Sequence, residues 1–551
     1  MMCNSTEKIH PMNIAANLNN PTQNICSQLL SGAEIPNLIA GADLTKLLSG
    51  ADIFPCYDLF IKNANAANNF ISGITRYNND FFIPWLTATF YFNNVELSGI
   101  HADSPVEQLA AYVKLFEFNM ELFSRYHAGS MAALEAFLKK ESKEFYDAFY
   151  NTIFKRDGEN LNDFFQRQFD IIEGTTRTFP KAVKEIAPEY GFHFEEKQQK
   201  PFAQTDRFFV YEVLPTDSNV TTDQTAKPVL IIPPFVLGSN ILGFLPGENR
   251  SYAHSFANQG IPTYIRIMKD IKTTPAFQVM TMEEDALDTR FFCKKIMEKH
   301  SRKVTLNGYC QGGYSAVCNI LSGELDSAVD ALITCVAPMD GTRSKGLGHF
   351  LTSLPPRFNN LLYGTKTLPN GNKVADGNLM GWVYKLKSIE QESPIVSFFR
   401  DMFMVEKTEK AAKMSKTALA LNYWLQNERT DIPLNITAMS FASYNIPVKE
   451  DGTLPVSMFG RSLNFKTIEQ KNIPWLLCYG ESDDLVEKET ALAPLDYIKV
   501  ETTPFPKGHV AIATSWSHPE SAYALHTRFG NENQYRGPVR FQMELNQLPK
   551  E

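Results

Sequence analysis

Cys310 occupies the tip of a Gly-x-Cys-x-Gly turn, Gly308–Gly312. A short run of β-forming residues, Val304–Leu306, precedes the turn, and a helix-compatible segment, Gln311–Leu321, follows it. This is the nucleophile-elbow pattern with cysteine in place of serine, in which a sharp strand-to-helix turn holds the nucleophile clear of the backbone. The motif alone favours an inert core residue, because free cysteine is among the most buried residue types.

Asp483 and His509 change that interpretation. Each follows its own predicted strand, Trp475–Tyr479 and Ile498–Thr502, in the order nucleophile, acid, histidine that accompanies this motif. A free thiol with a pKa of about 8.5 is mostly protonated at pH 7, so the histidine would take its proton and generate the thiolate. The acid would hold the imidazole in the correct tautomer. Together the three residues predict a Cys-His-Asp triad with Cys310 as the nucleophile.

Neighbouring residues offer alternatives to two members of the triad. Glu481 and Asp484 lie in the same turn as Asp483, which is preferred because it directly follows the Gly-x-x spacer after the strand. His518 and His526 come after the triad histidine but have no strand before them. We interpret both as residues at the surface or beside the site.

An oxyanion hole for this triad would combine two backbone N–H groups. One is that of Gln311, directly after the nucleophile, and the other comes from the loop that follows the strand Val229–Ile232. Because Pro233-Pro234 has no N–H, the loop donor is expected at Phe235 or Val236.

From about residue 205, near-continuous apolar runs alternate with helical segments such as Ser251–Gln259 and Met282–Lys299. This alternation predicts a mostly parallel sheet buried on both faces, and with the triad order it predicts the α/β-hydrolase fold. The strand-like runs are Phe208–Leu214, Val229–Ile232, Thr263–Ile267, Val304–Leu306, Ala331–Val336, Trp475–Tyr479 and Ile498–Thr502.

The chain divides by composition into three predicted parts. Residues 1–50, rich in Asn, Ser and Ala, are expected to form a loosely ordered leader, and residues 51–200 a helical N-terminal region. Residues 201–551 form the predicted catalytic domain. The alternating rhythm stops between about residues 341 and 465, which predicts an inserted cap.

Three amphipathic helices are predicted in the N-terminal region: Pro105–His127, Met131–Phe154 and Asn160–Ile172, with Gly129 as a stop between the first two. The first helix carries a continuous apolar stripe at spacings of three and four: Val106, Leu109, Val113, Phe116, Met120 and Phe123. The stripe favours packing into the core of the region itself. The alternative is contact with a partner chain or an apolar surface.

Composition excludes several classes of protein. A net charge of −8 and a pI near 5.8 give no basic footprint for nucleic acid. The eight cysteines show no CxxC or Cys/His ligand spacing, which indicates a reducing, cytoplasmic compartment and no zinc site. Met1–Asn20 shows no secretory signal pattern. The uncharged stretch Pro228–Pro246 contains repeated helix breakers and predicts a strand and loop, not a membrane span.

Residues 205–515 resemble the polyhydroxyalkanoate synthases. Gly308–Gly313 is similar to that family's lipase-like box, which has cysteine where lipases have serine. Further segments follow in the family's order: Pro228–Pro234, Asn240–Leu242, Val336–Asp340, Trp424 with Pro433, Tyr444-Asn445, Gly480–Val486 and Gly508-His509.

The resemblance implies a reaction. Cys310 would be acylated by a 3-hydroxyacyl-CoA with release of CoA, and His509, oriented by Asp483, would activate an incoming hydroxyl for chain extension. Acyl-CoA would be a substrate, and no cofactor is implied. Polyester granules and a second copy of the chain, as a homodimer, become candidate partners, with a cytoplasmic, granule-associated location.

Two loops depart from the family's usual sequence. They are Gly238–Gly243, which has no acid, and Val510–Pro519, and both border the expected substrate entrance. Two alternatives therefore stay open. One is a cysteine-dependent α/β-hydrolase, such as a thioesterase or polyester depolymerase, and the other is a non-catalytic homologue that binds granules or a partner.

Overall fold

A computed structural model of the chain describes residues 53–99, 104–353, 364–411 and 414–547. The predicted leader, residues 1–50, lies outside these described residues. The described chain divides into two compact units. One contains residues 53–64 and Lys143–Gln166, and the other contains Asn65–Ser142 and residues 167–547. The catalytic candidates all belong to the second unit.

The N-terminal region is helical, as the sequence predicts. Ser104 and Glu107 form a reciprocal capping box at the start of the second helix, with N–H to side-chain distances of 3.0 and 3.3 Å. The helices are α1 (Ile53–Gly99), α2 (Pro105–Phe154), α3 (Leu161–Glu173), a π-helical turn (Gly174–Thr178) and α4 (Phe179–Glu185).

The predicted stop at Gly129 is wrong, because α2 runs through it without a break. A Cβ at this position would lie 2.0 Å from the carbonyl oxygen of Glu390. Gly129 therefore allows another backbone to approach α2 closely and does not end the helix.

The apolar stripe from Val106 to Phe123 is exposed, so its predicted place in the region's own core is wrong. A different face of α2 is buried. Phe118 and Leu122 lie in an apolar cluster with Phe350, and Leu115 packs against it.

The sheet begins in the second unit with six strands: β1 (Ala203–Gln204), β2 (Phe208–Val213), β3 (Val229–Ile232), β4 (Thr263–Met268), β5 (Val304–Tyr309) and β6 (Val329–Cys335). All four residues of β3 and all six of β5 are buried, which is typical of parallel strands covered on both faces. The helices among these strands are α5 (Tyr252–Ala257), α6 (Pro275–Gln278), α7 (Met282–His300) and α8 (Gln311–Leu321).

Between β6 and the next strand of this sheet lies a mainly helical segment, which we call the cap. Its helices are α9 (Leu347–Ser353), α10 (Gly377–Lys387), α11 (Ile389–Glu392), α12 (Pro394–Ala411), α13 (Lys416–Asn427) and α14 (Leu434–Asn445). Its strands are β7 (Thr365–Thr367), β8 (Lys373–Ala375), β9 (Ile432–Pro433), β10 (Thr453–Met458) and β11 (Arg461–Asn464).

After the cap the chain returns to the sheet. The remaining elements are α15 (Lys466–Gln470), β12 (Trp475–Gly480), α16 (Lys488–Ala491), β13 (Glu501–Phe505), α17 (Ala511–Thr514), β14 (Arg528–Phe529), β15 (Tyr535–Arg536) and α18 (Pro538–Asn546).

The large sheet has the strand order β1-β2-β4-β3-β5-β6-β12-β13. Its strands from β4 to β13 are parallel, whereas β2 is antiparallel to β4 and β1 is antiparallel to β2. This topology, with a nucleophile elbow after β5, confirms the predicted α/β-hydrolase fold with an N-terminal helical region.

The last sheet strand lies three residues beyond its predicted place. The amides of Tyr497 and Ile498 bond back to the carbonyl of Pro494 in a turn, so they do not join the sheet. The strand instead includes Pro504, which lacks an N–H but is tolerated because β13 is an edge strand.

The uncharged stretch Pro228–Pro246 contains β3, a loop and a 3₁₀ turn at Asn240–Gly243, as predicted. Among the helices described, none combines the length and hydropathy that a membrane crossing requires.

Replacing Gly129 with alanine tests the close approach of α2 to Glu390. Alanine favours a helix by ~1 kcal/mol over glycine, but the clash with a backbone carbonyl should exceed that gain. We expect Gly129→Ala to lower the free energy of unfolding by about 1–3 kcal/mol, measured by urea denaturation. Gly247→Ala is the control, because a Cβ there meets no atom within 4 Å. Equal stability of the two variants would contradict the packing.

Candidate active site

Cys310 lies between β5 and α8 with φ 53° and ψ −127°, a backbone conformation that non-glycine residues seldom adopt. Its amide donates a 2.8 Å hydrogen bond to the carbonyl of Cys335 on β6. Strained conformations of this kind persist where the surrounding structure enforces them, and they are common at catalytic sites. The geometry is that of a nucleophile elbow.

Gly312 explains how the elbow packs. A Cβ on this residue would lie 2.4 Å from the carbonyl oxygen of Ile232 and 2.5 Å from that of Pro233. The first turn of α8 thus contacts the end of β3 backbone to backbone, and any side chain at Gly312 would force the two apart.

Asp483 and His509 are joined by a hydrogen bond of 2.8 Å between carboxylate Oδ2 and imidazole Nδ1. The other oxygen, Oδ1, accepts the N–H groups of Leu485 and Val486, each at 2.9 Å. These donors hold the carboxylate in place. Asp483 and His509 are both buried.

The alternatives to Asp483 and His509 lie outside this hydrogen-bonded pair. Glu481 is exposed, and the side chain of Asp484 is 75% exposed, 3.9 Å from Lys387. His518 is half-buried and accepts the backbone N–H of Glu520 through Nδ1. His526 is half-buried, and its pKa is lowered by burial. Of these acids and histidines, the structure pairs only Asp483 with His509.

The thiol of Cys310 lies near the imidazole of His509. Burial opposes a charged imidazolium, but the carboxylate of Asp483 and then the thiol of Cys310 outweigh burial and raise the pKa of His509 well above its ordinary 6.5. Nε2 is buried and makes no hydrogen bond of regular geometry within the described chain. Such bonds are often loose without substrate. The Tyr309 hydroxyl donates a 2.7 Å hydrogen bond to the His509 carbonyl, tying the histidine loop to the strand beneath Cys310.

The loop after β3 lies beside the elbow, because the Pro233 carbonyl contacts Gly312. Phe235 and Val236 follow in this loop, and both are buried. Gln311 is the first residue of α8, so its N–H has no acceptor within the helix. The predicted oxyanion residues therefore lie on the two segments that meet at Cys310.

The cap supplies three residues that the sequence did not single out as functional. Tyr384 of α10 and Tyr444 of α14 are half-buried near Cys310, and desolvation raises the pKa of both phenols, with a smaller contribution from Cys310. Ser440 of α14 accepts a 2.5 Å hydrogen bond from Gln311 Nε2. Tyr444 belongs to a segment noted above for its family order, whereas Tyr384 and Ser440 lie in no motif.

A small apolar cleft lies between the N-terminal helices and the cap. Trp382 and Val383 of α10 line it, whereas Tyr384 of the same helix is near Cys310. Cys310, Asp483 and His509 do not line the cleft, so it is separate from the candidate active site.

No protein-family model matches the chain, and no curated protein matches its sequence. Among solved structures it is similar to an esterase from Rhodococcus sp. (13% identity, TM-score 0.29, covering 62% of this chain and 93% of that one). Others are a meta-cleavage product hydrolase from Pseudomonas fluorescens (12%, 0.29, 55% and 88%) and a carboxylesterase from Nitrososphaera gargenis (11%, 0.31, 56% and 91%). Similarity at this level carries no inference about activity.

Asp483→Asn should lower the pKa of His509, because burial would then act with less opposition. A pKa raised by folding stabilises the fold fully below the unfolded value of about 6.5 and less as the pH rises through the folded value. The stability lost in Asp483→Asn should therefore be largest below pH 6.5 and shrink at higher pH. NMR titration of the His509 ring and urea unfolding at several pH values measure the two effects. An unchanged His509 pKa would refute the pairing.

Proposed function

We propose that this protein is a cysteine-dependent acyltransferase of the polyhydroxyalkanoate synthase type. The observation that carries the proposal is the strained elbow at Cys310 together with the buried 2.8 Å bond between Asp483 and His509. The three residues would form a Cys-His-Asp triad. The motifs around Cys310, Asp483 and His509 supply the choice of reaction, since they resemble those of the synthases.

The first half-reaction would acylate Cys310. His509 Nε2 takes the thiol proton, and the thiolate attacks the thioester carbonyl of a 3-hydroxyacyl-CoA. The N–H of Gln311 and one from Phe235 or Val236 would stabilise the resulting oxyanion. The carbon–sulfur bond to CoA then breaks, and the departing thiolate takes the proton from His509, which leaves an acyl-cysteine.

The second half-reaction would transfer the acyl group. His509 removes the proton of an acceptor hydroxyl, the oxygen attacks the acyl-cysteine, and the Cys310 thiolate leaves and recovers the proton. The cap would influence which acceptor reacts, because its residues Tyr384 and Tyr444 lie near the buried thiol of Cys310. A covered site that excludes water favours an alcohol acceptor over hydrolysis. Under this proposal a polyester granule would be the partner surface.

Purified protein incubated with 3-hydroxybutyryl-CoA tests the proposal, with free CoA and polymer both quantified. We expect CoA release accompanied by polymer, and a loss of at least ~10³-fold in Cys310→Ala because no acyl-enzyme can form. Cys318→Ala is the matched control, since Cys318 is a buried thiol on the helix that follows the elbow. It should keep wild-type activity per folded molecule.

Each of the other outcomes would support a different function. CoA and free 3-hydroxy acid without polymer would replace the synthase with a cysteine-dependent hydrolase. Full CoA release by Cys310→Ala would refute the nucleophile. A wild type that releases no CoA from acyl-CoA substrates of several chain lengths would favour a non-catalytic, granule- or partner-binding protein.

A further inference from the structure

The loop between β3 and the 3₁₀ turn, residues 235–240, carries the proposed oxyanion donors Phe235 and Val236. Among the residues that the structure describes, none accepts a hydrogen bond from the N–H of either donor, so both can bind a developing oxyanion. Such donors work only when their position is fixed, because an error of about 1 Å in a catalytic group can cost roughly 100-fold in rate. The contacts that fix the loop therefore matter for the reaction.

The cap holds the backbone of this loop, through the last turn of α13 and the residues that follow it. Trp424 Nε1 donates a 3.0 Å hydrogen bond to the Leu237 carbonyl. The N–H of Thr430 donates to the Val236 carbonyl at 3.4 Å. Two successive carbonyls of the loop are thus bonded to the cap.

Glu428 lies between these two cap residues in the sequence and contacts the same loop. Its Oε1 accepts a 2.7 Å hydrogen bond from Asn240 Nδ2, and Asn240 Oδ1 in turn accepts the N–H of Phe192 at 3.3 Å. Gly238 has φ 71°, and a Cβ there would lie 2.8 Å from Glu428 Oε2. One carboxyl group therefore bonds to the end of the loop and fills the space beside its left-handed residue.

The surroundings of Glu428 make its charge sensitive to pH. Desolvation raises its pKa to about 7, whereas Asn240, Tyr190 and Arg429 act in the opposite direction. Tyr190 stays neutral at that pH, because desolvation also raises the pKa of its phenol. The carboxyl group of Glu428 thus changes charge near neutral pH, and its ionised form is the stronger acceptor for Asn240.

We propose that Glu428 is a positioning residue, which holds residues 235–240 and their two oxyanion donors beside Cys310 by bonding to Asn240 and packing against Gly238. It acts through the loop and not on the reacting atoms. This role depends on the proposed function, because an oxyanion forms only if Cys310 is acylated. An acid of the cap would then complete the arrangement of the oxyanion hole.

The rate of CoA release from 3-hydroxybutyryl-CoA at about pH 8 tests this role. Glu428→Ala should lower kcat roughly 10- to 100-fold and leave KM within about threefold of the wild type, because the oxyanion forms only in the transition state. Glu428→Gln keeps an oxygen that can accept from Asn240 and should restore most of the activity. Asn240→Ala should reproduce the loss, and the double variant should lose little more, since both residues act through one hydrogen bond.

Lys416→Ala is the matched control. Lys416 also connects α13 to residues outside the cap, through ion pairs of 2.7 Å with Glu189 and 2.8 Å with Glu248, but not to the loop. This variant should keep the wild-type kcat. A loss as large as that of Glu428→Ala would show that any loosening of the cap slows the reaction, and it would overturn the specific role of Glu428.

The pH profile separates positioning from a purely structural role. In the wild type, kcat should fall as the pH drops through about 7, because protonated Glu428 holds Asn240 less firmly. Glu428→Gln has no charge to lose and should lack this fall, whereas any change caused by His509 would occur in both proteins. Identical profiles, or an unchanged kcat in Glu428→Ala, would overturn the role of Glu428 and leave the proposed function intact.

Hydrogen–deuterium exchange of the full-length protein distinguishes the two possible failures. The peptide that covers residues 235–240 should exchange at least ~10-fold faster in Glu428→Ala than in the wild type, with or without turnover of acyl-CoA. Unchanged exchange in an active enzyme would refute only the role of Glu428. A wild type that releases no CoA would refute the proposed function and, with it, a catalytic role for Glu428, even where exchange shows that this residue holds the loop.

Discussion

The arrangement of the site depends on one close approach, that of the first turn of α8 to the end of β3. At Gly312 there is no space for a side chain, because the carbonyls of Ile232 and Pro233 occupy it. This contact forces the sharp reversal at Cys310 and brings the loop after β3 beside the nucleophile. The strained backbone of Cys310 and the position of the proposed oxyanion donors therefore have a single physical cause.

A second set of contacts connects the cap to this core. Gln311, next to Cys310, donates a hydrogen bond to Ser440 on α14. On its other side the cap meets α1 and α2, where Arg125 bonds to the Lys387 carbonyl at 2.6 Å. The helices α1 and α2, which are distant from Cys310 in sequence, thus pack against the same cap that lies near its thiol.

The sheet and the pairing of Asp483 with His509 could be predicted because their signals are local: apolar runs of strand length, a small-residue turn and an acid or histidine just after a strand. What failed depended on tertiary contacts. Gly129 resembles a helix stop until Glu390 is known to lie against it, and Ile498 resembles strand until its amide is found in a turn. For the same reason periodicity identified the apolar row on α2 but not which of its two faces the cap would cover. Tyr384 lies in no sequence motif, and only the folded chain brings it near Cys310, so its place beside the site could not be predicted.

The hydrogen bond from Tyr309 to the carbonyl of His509 has a consequence for motion. Tyr309, the residue before Cys310, holds the loop of His509, and the carboxylate of Asp483 holds the imidazole ring. Cys310, Asp483 and His509 thus follow strands β5, β12 and β13 of one sheet. Cys310 is 8% exposed, so a reactant reaches its thiol only when the residues that cover it move. Under the proposed function the catalytic groups are already assembled, and we expect the motion that admits reactants to lie in the cap. Turnover would then be governed by admission to the site, with the triad itself unchanged between the closed and open forms.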